Sequence, residues 1–329
     1  MISQLVLLIT TRCNLRCRLC YLDQKEPQDI SREIIFRALD LANPKDLQEI
    51  VISGGEPLLR PDLVFAAIQY ARTRFGNAVK ISIQTNGTLI NTDIAQKLDS
   101  FKVGIGISID GPPEINEKLR GETNSLIGCL NKLGTTGKSV GVTVTLSRYN
   151  ASSLYRLVIF LSNFPCVMSI GIDPLRPVGR AKTDDIADIT TIADDLEKMK
   201  KTLDWINHKR QTPLTLREAV SPAYSKPYCH ACTGSLVTVH PDGSLWPCPS
   251  LVKNKRFKLG SVDSHKIKSL ALNKLDKICD PCTSSPSCHG RCPVRTWLSP
   301  AAGLIDCMIR RVLLGITCRS MTPEITGGM

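Results

Sequence analysis

Short β-branched and aliphatic runs alternate, along the first two-thirds of the chain, with longer stretches in which apolar residues recur every three or four positions. The first pattern predicts strands at Leu5–Ile9, Glu49–Ser53, Val79–Gln84, Val103–Ile109, Val140–Leu146 and Met168–Ile172. The second predicts amphipathic helices at Arg32–Ala42, Pro61–Arg74, Thr92–Ser100, Ser125–Gly134 and Ala151–Asn163. A sixth helix, Ile186–Lys209, carries Ile189, Ile192, Leu196, Met199, Leu203 and Ile206 at helical spacing. Strands alternating with helices imply parallel βα units with right-handed crossovers. The fold class is therefore α/β, a partial (β/α)6 TIM-like barrel.

Past residue 210 the pattern changes. The stretch 211–228 has little periodicity and contains Pro213, Pro222 and Pro227, so it reads as a linker between a barrel at 1–210 and a second domain at 229–329. In that second domain Thr238–Val239 and Ser244–Trp246 flank a tight Asp242-Gly243 turn, which predicts a β-hairpin.

Composition sharpens this division. The chain has 329 residues, 42% of them hydrophobic, enough for a barrel and an appendage. Of its fourteen cysteines only three precede position 100, while nine follow position 228. The amino terminus has neither a cationic start with a cleavage site nor an apolar stretch long enough to span a membrane. Cysteines in such a chain point to metal ligation in a reducing, cytoplasmic setting. The formal charge of +12 suits an acidic peptide or an acidic electron donor, or a solvated face. Aromatics make up 5% of the chain and no RNA-binding motif interleaves them with basic residues, which argues against nucleic acid.

Three of the cysteines lie in Thr11-Arg12-Cys13-Asn14-Leu15-Arg16-Cys17-Arg18-Leu19-Cys20-Tyr21, directly after the first strand. The spacing Cys-x3-Cys-x2-Cys puts three thiolates on one loop, one short of a closed metal site. Three thiolates hold three irons of a cubane and leave the fourth open to another ligand. Zinc is the main alternative, but it usually takes four protein ligands, and no fourth Cys or His lies near. The loop resembles the cluster motif of the radical S-adenosylmethionine (SAM) superfamily. That resemblance implies a [4Fe-4S] cluster on Cys13, Cys17 and Cys20 whose open iron chelates SAM. The family favours an aromatic just before the third cysteine; here that position is Leu19, and Tyr21 follows instead.

Further motifs fall at the carboxyl ends of later strands, where parallel barrels build their sites. Ser53-Gly54-Gly55-Glu56-Pro57 resembles the family's second motif. Its glycines allow close backbone approach to a ligand, and Glu56 is placed to accept hydrogen bonds from the cofactor's ammonium. Asn86, Ser108 and Asp110 lie where related enzymes contact ribose and methionine, and Arg120 is placed to pair with the methionine carboxylate. Each also reads as an ordinary turn, cap or solvated residue. Pro177-Val178-Gly179-Arg180 resembles a segment that faces the site in many related enzymes, with Arg180 as the contact.

The later cysteines are ordered Cys232-x10-Gly243-x4-Cys248, then Cys279-x2-Cys282-x5-Cys288-x3-Cys292, then Cys307. This order resembles the SPASM extension, a small cysteine-rich domain that carries two auxiliary [4Fe-4S] clusters. The resemblance implies one cluster on Cys232, Cys248 and Cys292 with Cys229 as fourth ligand. It implies another on Cys279, Cys282, Cys288 and Cys307. A zinc ribbon from Cys229, Cys232, Cys279 and Cys282 is the alternative, and it leaves four cysteines unexplained. Cys129, Cys166 and Cys318 match no motif and read as ordinary thiols.

The resemblance covers residues 4 to 310. It implies a radical SAM oxidoreductase that abstracts hydrogen from a ribosomally made peptide or protein and oxidatively modifies it. Flavodoxin or ferredoxin would be the electron donor. The first strand begins almost at residue 1, so a leader-recognition domain is expected on a separate protein. Tailoring of a tetrapyrrole or quinone cofactor is the second reading. Sulfatase maturation is disfavoured, because those enzymes carry an Asp base where Pro249 follows Cys248. A non-catalytic iron–sulfur protein is the reading from another class. No catalytic base is identifiable.

Overall fold

The computed structural model describes residues 1–22, 27–217, 229–272 and 290–314. Among the described residues ten strands form one sheet, in the order β10-β9-β8-β1-β2-β3-β4-β5-β6-β7. They are β1 (Gln4–Leu8), β2 (Glu49–Ser53), β3 (Lys80–Thr85), β4 (Val103–Ser108), β5 (Val140–Leu146), β6 (Val167–Pro174), β7 (Thr215–Leu216), β8 (Leu236–Val239), β9 (Ser244–Trp246) and β10 (Gly260–Ser261). Strands β1 to β7 are parallel to their neighbours, and β1 to β6 make the partial (β/α)6 barrel the alternating pattern predicts.

The crossovers carry α1 (Arg32–Asp40), α2 (Pro61–Phe75), α3 (Thr92–Ser100), α4 (Pro113–Leu119), α5 (Thr123–Thr135), α6 (Leu154–Ser162) and α7 (Ile192–Asn207). Their starts follow local chemistry. Ser31 and Asn91 accept from the amides of Ile34 and Ile94, and Pro61 opens α2 where its missing N–H costs nothing. Helix α7 starts six residues later than the periodicity suggests. Asp188 captures the Thr190 amide at 2.9 Å in a local turn, and such bonds compete with helix formation.

Two joins differ from the sequence expectation. Thr215–Leu216, within the expected linker, pairs in parallel with Ser169–Ile170. The hairpin β8–β9 does not stand apart either, because β8 pairs in parallel with β1 (Leu5 opposite Val237). Strand β1 is thus interior to the sheet and buried on both faces. Its period-two alternation sends Leu5 and Leu7 into the barrel core. Val6 and Leu8 go to a second core with Leu236, Leu251, Phe257 and Val294. One strand therefore couples the barrel to the cysteine-rich region.

The chain's later residues add α8 (Pro293–Leu298) and α9 (Pro300–Leu314). Ile305, Met308 and Ile309 of α9 join the barrel core, and Trp297 of α8 meets Phe257 edge-on at 5.0 Å between ring centroids. No helix among the described residues is long and apolar enough to cross a membrane.

Candidate active site

At the carboxyl ends of β1 to β6 the sheet opens into a cavity of about 340 Å³. Cys13, Cys17 and Cys20 line one side of it. Ser53, Gly54, Gly55, Asn86, Ser108, Asp110 and Arg120 line it from successive strand ends, and Cys248 reaches it from the residues after β9. Apart from Glu56, every residue singled out in the first 120 positions for cluster or cofactor thus borders one space.

The cysteine loop and the turn after β2 are held together by main-chain hydrogen bonds. Gly55 N–H donates to Thr10 O at 2.7 Å, and Glu56 N–H donates to Arg12 O at 2.8 Å. This closeness is why both glycines are needed. A Cβ on Gly55 would lie 2.0 Å from Arg12 O, and one on Gly54 would lie 2.5 Å from Thr10 O. The sequence suggests close approach to a ligand; the closest approach here is to the cysteine loop itself.

Glu56 is fully buried beneath the cavity, and it does not line it. Its carboxylate accepts from Leu58 N–H (3.0 Å), Thr85 Oγ–H (2.7 Å) and Asn86 N–H (2.8 Å). Burial pushes its carboxyl up, against the pull of those three donors. The carboxylate expected to face a ligand is therefore engaged internally, fixing the start of the β3 loop. Asn86 carries the connection onward. Its side-chain amide donates to Asn14 Oδ1 at 2.9 Å and approaches Cys13 Sγ at 3.8 Å.

Asp110 and Arg120 face each other across the cavity wall, with the Arg120 Nε 2.7 Å from the carboxylate. Asp110 also accepts from Thr145 N–H at 2.8 Å. Arg120 is only 14% exposed, so it is not a solvated arginine. Helix α4, absent from the sequence reading, delivers it: Arg120 N–H donates to Asn116 O at 2.7 Å. Ser108 ends β4 and lines the same wall.

Leu19 packs with Leu119, Leu175 and Ala181 while bordering the cavity. The segment containing Arg180 lies against the cysteine loop through its backbone, with Arg180 N–H donating to Cys20 O at 2.9 Å. Its neighbour Arg176, which the sequence reading passed over, lines the cavity instead. Arg176 pairs with Asp173 at 2.7 Å, and Asp173 also pairs with fully buried Arg295, which in turn holds Asp306. Burial would raise the Asp173 carboxyl, but Arg176 and Arg295 beside it hold it at about 2. No local signal points to this group, since the pairing spans residues 173 to 306.

Burial raises the thiols of Cys13 and Cys248 to about 11 and that of Cys17 upward, so bound metal would have to displace their protons. Cys229 and Cys232 lie 3.9 Å apart, sulfur to sulfur. Their hydrogen bond, with burial, pushes Cys229 up. Cys292 is buried in the second core, which Cys229 and Cys248 border. Cys307 lies within 3.9 Å of an Arg291 nitrogen. Cys279, Cys282, Cys288 and Cys318 lie outside the described residues. Among the described residues no three His, Cys, Asp or Glu side chains are grouped as for a single metal ion. Cys129 and Cys166 are buried in the barrel core, away from the cavity.

The model of the Radical SAM superfamily matches residues 7–158. An uncharacterised protein of Methanocaldococcus jannaschii is 31% identical over 275 residues, covering 81% of this chain and 91% of that one. The mycofactocin maturase MftC of Mycobacterium tuberculosis is 25% identical, covering 86% and 76%. The Fe-coproporphyrin III synthase of Methanosarcina barkeri is 35% identical, but over only 44% of this chain and 37% of that one. Among solved structures, anSMEcpe with bound AdoMet superposes with a TM-score of 0.74 at 20% identity, covering 96% of each chain. Streptococcus suis SuiB bound to precursor peptide SuiA superposes at 0.63 and 17% identity, covering 93% of this chain and 66% of that one. The chain belongs to the Radical SAM superfamily, and over nearly its whole length its fold is that of anSMEcpe and SuiB.

Proposed function

We propose that the protein is an oxidoreductase that removes hydrogen from a ribosomally made peptide or protein and leaves it oxidised. The observation that carries this reading is that the Cys13, Cys17 and Cys20 loop and Cys248 line one cavity. The three loop thiols fit a cubane with one open iron, since their loop is fixed to the β2 turn and no fourth thiol sits on it. With SAM bound and an electron supplied, such a cluster delivers a 5′-deoxyadenosyl radical.

The chain's own groups would hold the cofactor. Backbone at Ser53, Gly54 and Gly55 would receive its amino group, and Asn86 and Ser108, which line the same cavity, would offer polar atoms to its ribose. Arg120, held by Asp110 at 2.7 Å, would pair with the methionine carboxylate. Arg176 and Asp173, on the wall nearer Cys248, would meet the substrate. Cys229, Cys232, Cys248 and Cys292 would carry one auxiliary cluster. Cys307 with Cys279, Cys282 and Cys288 would carry the other. These clusters would accept the electron left after hydrogen abstraction. We place the reaction in the cytoplasm, with a flavodoxin or ferredoxin as donor and a separate leader-recognition protein. Pro249 lines the cavity without an acid–base group, so formylglycine formation is not part of this reading.

Support for a peptide comes from SuiB, whose structure holds a precursor peptide, and from the maturase MftC. The partial match to Fe-coproporphyrin III synthase favours a second reading, tailoring of a tetrapyrrole. Specifically deuterated candidate precursors decide between them. Deuterium should move from the peptide into 5′-deoxyadenosine, and the product should be lighter by about two hydrogens, as one abstraction and one further one-electron oxidation require. Consumption of a tetrapyrrole with every peptide inert would overturn the peptide assignment.

A further inference from the structure

A second cavity, also of about 340 Å³, lies on the far side of the Tyr21 wall. Tyr21, Pro249 and Ser250 border both cavities, so the two share these wall residues. The second is lined mainly by apolar groups, among them Leu22, Leu251, Val252, Trp297 and Leu298. Lys253, at its edge, has a backbone φ of 68°, a left-handed conformation that non-glycine residues seldom adopt.

One polar side chain in this lining stands out. His240 is 4% exposed and sits at the start of the hairpin turn, where Gly243 N–H returns to His240 O at 2.9 Å. Its Nδ1 lies 2.9 Å from the Asp242 carboxylate, which also accepts from Ser244 N–H at 2.8 Å. Burial would raise the Asp242 carboxyl, but the bonds from His240 and Ser244 hold it well below the usual carboxylate range. Two groups meet Nδ1, the Asp242 carboxylate at 2.9 Å and the Asp242 N–H at 3.4 Å; the shorter contact favours the Nδ1–H tautomer, which in the neutral ring leaves Nε2 as an acceptor. That Nε2 is buried with no hydrogen-bond partner among the described residues. A buried polar atom without a partner is costly, and most such atoms in folded proteins are satisfied. The described residues bring no second metal-ligating side chain to this cavity, so a metal is not the partner it calls for.

We infer that this cavity is a second binding site, for an aromatic group bearing one N–H or O–H donor, such as a phenol or indole side chain. Aromatic and aliphatic walls receive the ring, and His240 Nε2 accepts the donor. Its position beside the reaction cavity makes it a subsite for the substrate, which rests on the peptide reading; binding itself needs no turnover.

The test uses anaerobically reconstituted enzyme and three probes, p-cresol, 3-methylindole and toluene, with dissociation constants from saturation-transfer NMR. Both donors should bind roughly three- to tenfold more tightly than toluene, the span expected of one net hydrogen bond. His240→Phe should bring all three to the toluene value. Leu298→Trp, which fills the cavity while leaving His240 in place, should abolish binding of every probe and serves if His240→Phe does not fold. Equal binding of p-cresol and toluene, no binding by any probe, or binding unchanged in Leu298→Trp would each overturn the assignment. None of these outcomes bears on 5′-deoxyadenosine formation, so failure here is distinct from failure of the radical reading.

Discussion

Asp173, at the tip of β6, is paired with Arg295 of α8, 122 residues further along the chain. The same carboxylate pairs with Arg176 in the cavity wall, and Arg295 continues to Asp306. One ionic chain thus connects the cavity to the two helices that follow Cys292, because Asp306 also accepts from Cys292 N–H at 3.0 Å.

Breaking that chain at its buried centre should be costly. Arg295→Met leaves Asp306, itself only 4% exposed, without its cation. We expect a loss of about 3–5 kcal/mol, the usual cost of breaking a buried pair from one side. Urea unfolding monitored by far-UV circular dichroism checks it, and a loss below 1 kcal/mol would show the pair to be incidental.

The same carboxylate gives a pH dependence of definite sign. Its folded value of about 2 lies below the ordinary aspartate value of about 3.9. A depressed carboxyl contributes stability that is complete above about pH 4 and is lost as pH falls toward 2. In Asp173→Asn the loss of stability between pH 4 and 2 should therefore be shallower than in the parent protein. The carboxylate is partly open to the cavity, so solvent screening will reduce the difference.

Glu56 offers a sharper distinction. As a ligand to the cofactor it would affect binding alone. As the internal anchor seen here, it should affect stability as well. Glu56→Gln keeps the shape but cannot accept from all of Leu58, Thr85 and Asn86 as a carboxylate does. We expect about 1–3 kcal/mol of destabilisation, with weakened SAM binding as Asn86 loosens. Unchanged stability with lost binding would return Glu56 to the cavity.

How far these groups could be read from the sequence depended on the distance over which they act. The six barrel strands were legible because a buried parallel strand is written locally, as in Leu5–Ile9. The cysteine loop was legible because three cysteines lie within eight positions. The role of Glu56 was not, since a carboxylate in a turn looks the same whether it faces a ligand or accepts internally from Leu58, Thr85 and Asn86. The attachment of β8 to β1 was hidden too, because no local pattern says which edge a hairpin joins. Arg295 and Asp173 carry no signal of their own, being pairs made only by the fold.

The turn beneath the loop makes a further prediction. Gly55→Ala places a methyl 2.0 Å from Arg12 O, a clash the backbone must relieve by moving the cysteine loop. The variant retains all three thiols, yet iron incorporation at the loop and SAM binding should both fall. Iron content and anaerobic calorimetry would show this; full loading with normal affinity would mean that the loop tolerates displacement.

The most direct test concerns the loop itself. Anaerobically reconstituted protein should hold about 12 irons per chain, and the triple change of Cys13, Cys17 and Cys20 to Ala should remove about four. On reduction with dithionite, the parent should form 5′-deoxyadenosine from SAM and the triple variant none. A parent preparation that binds zinc, takes up four irons or fewer, and yields no 5′-deoxyadenosine would contradict the account at its centre.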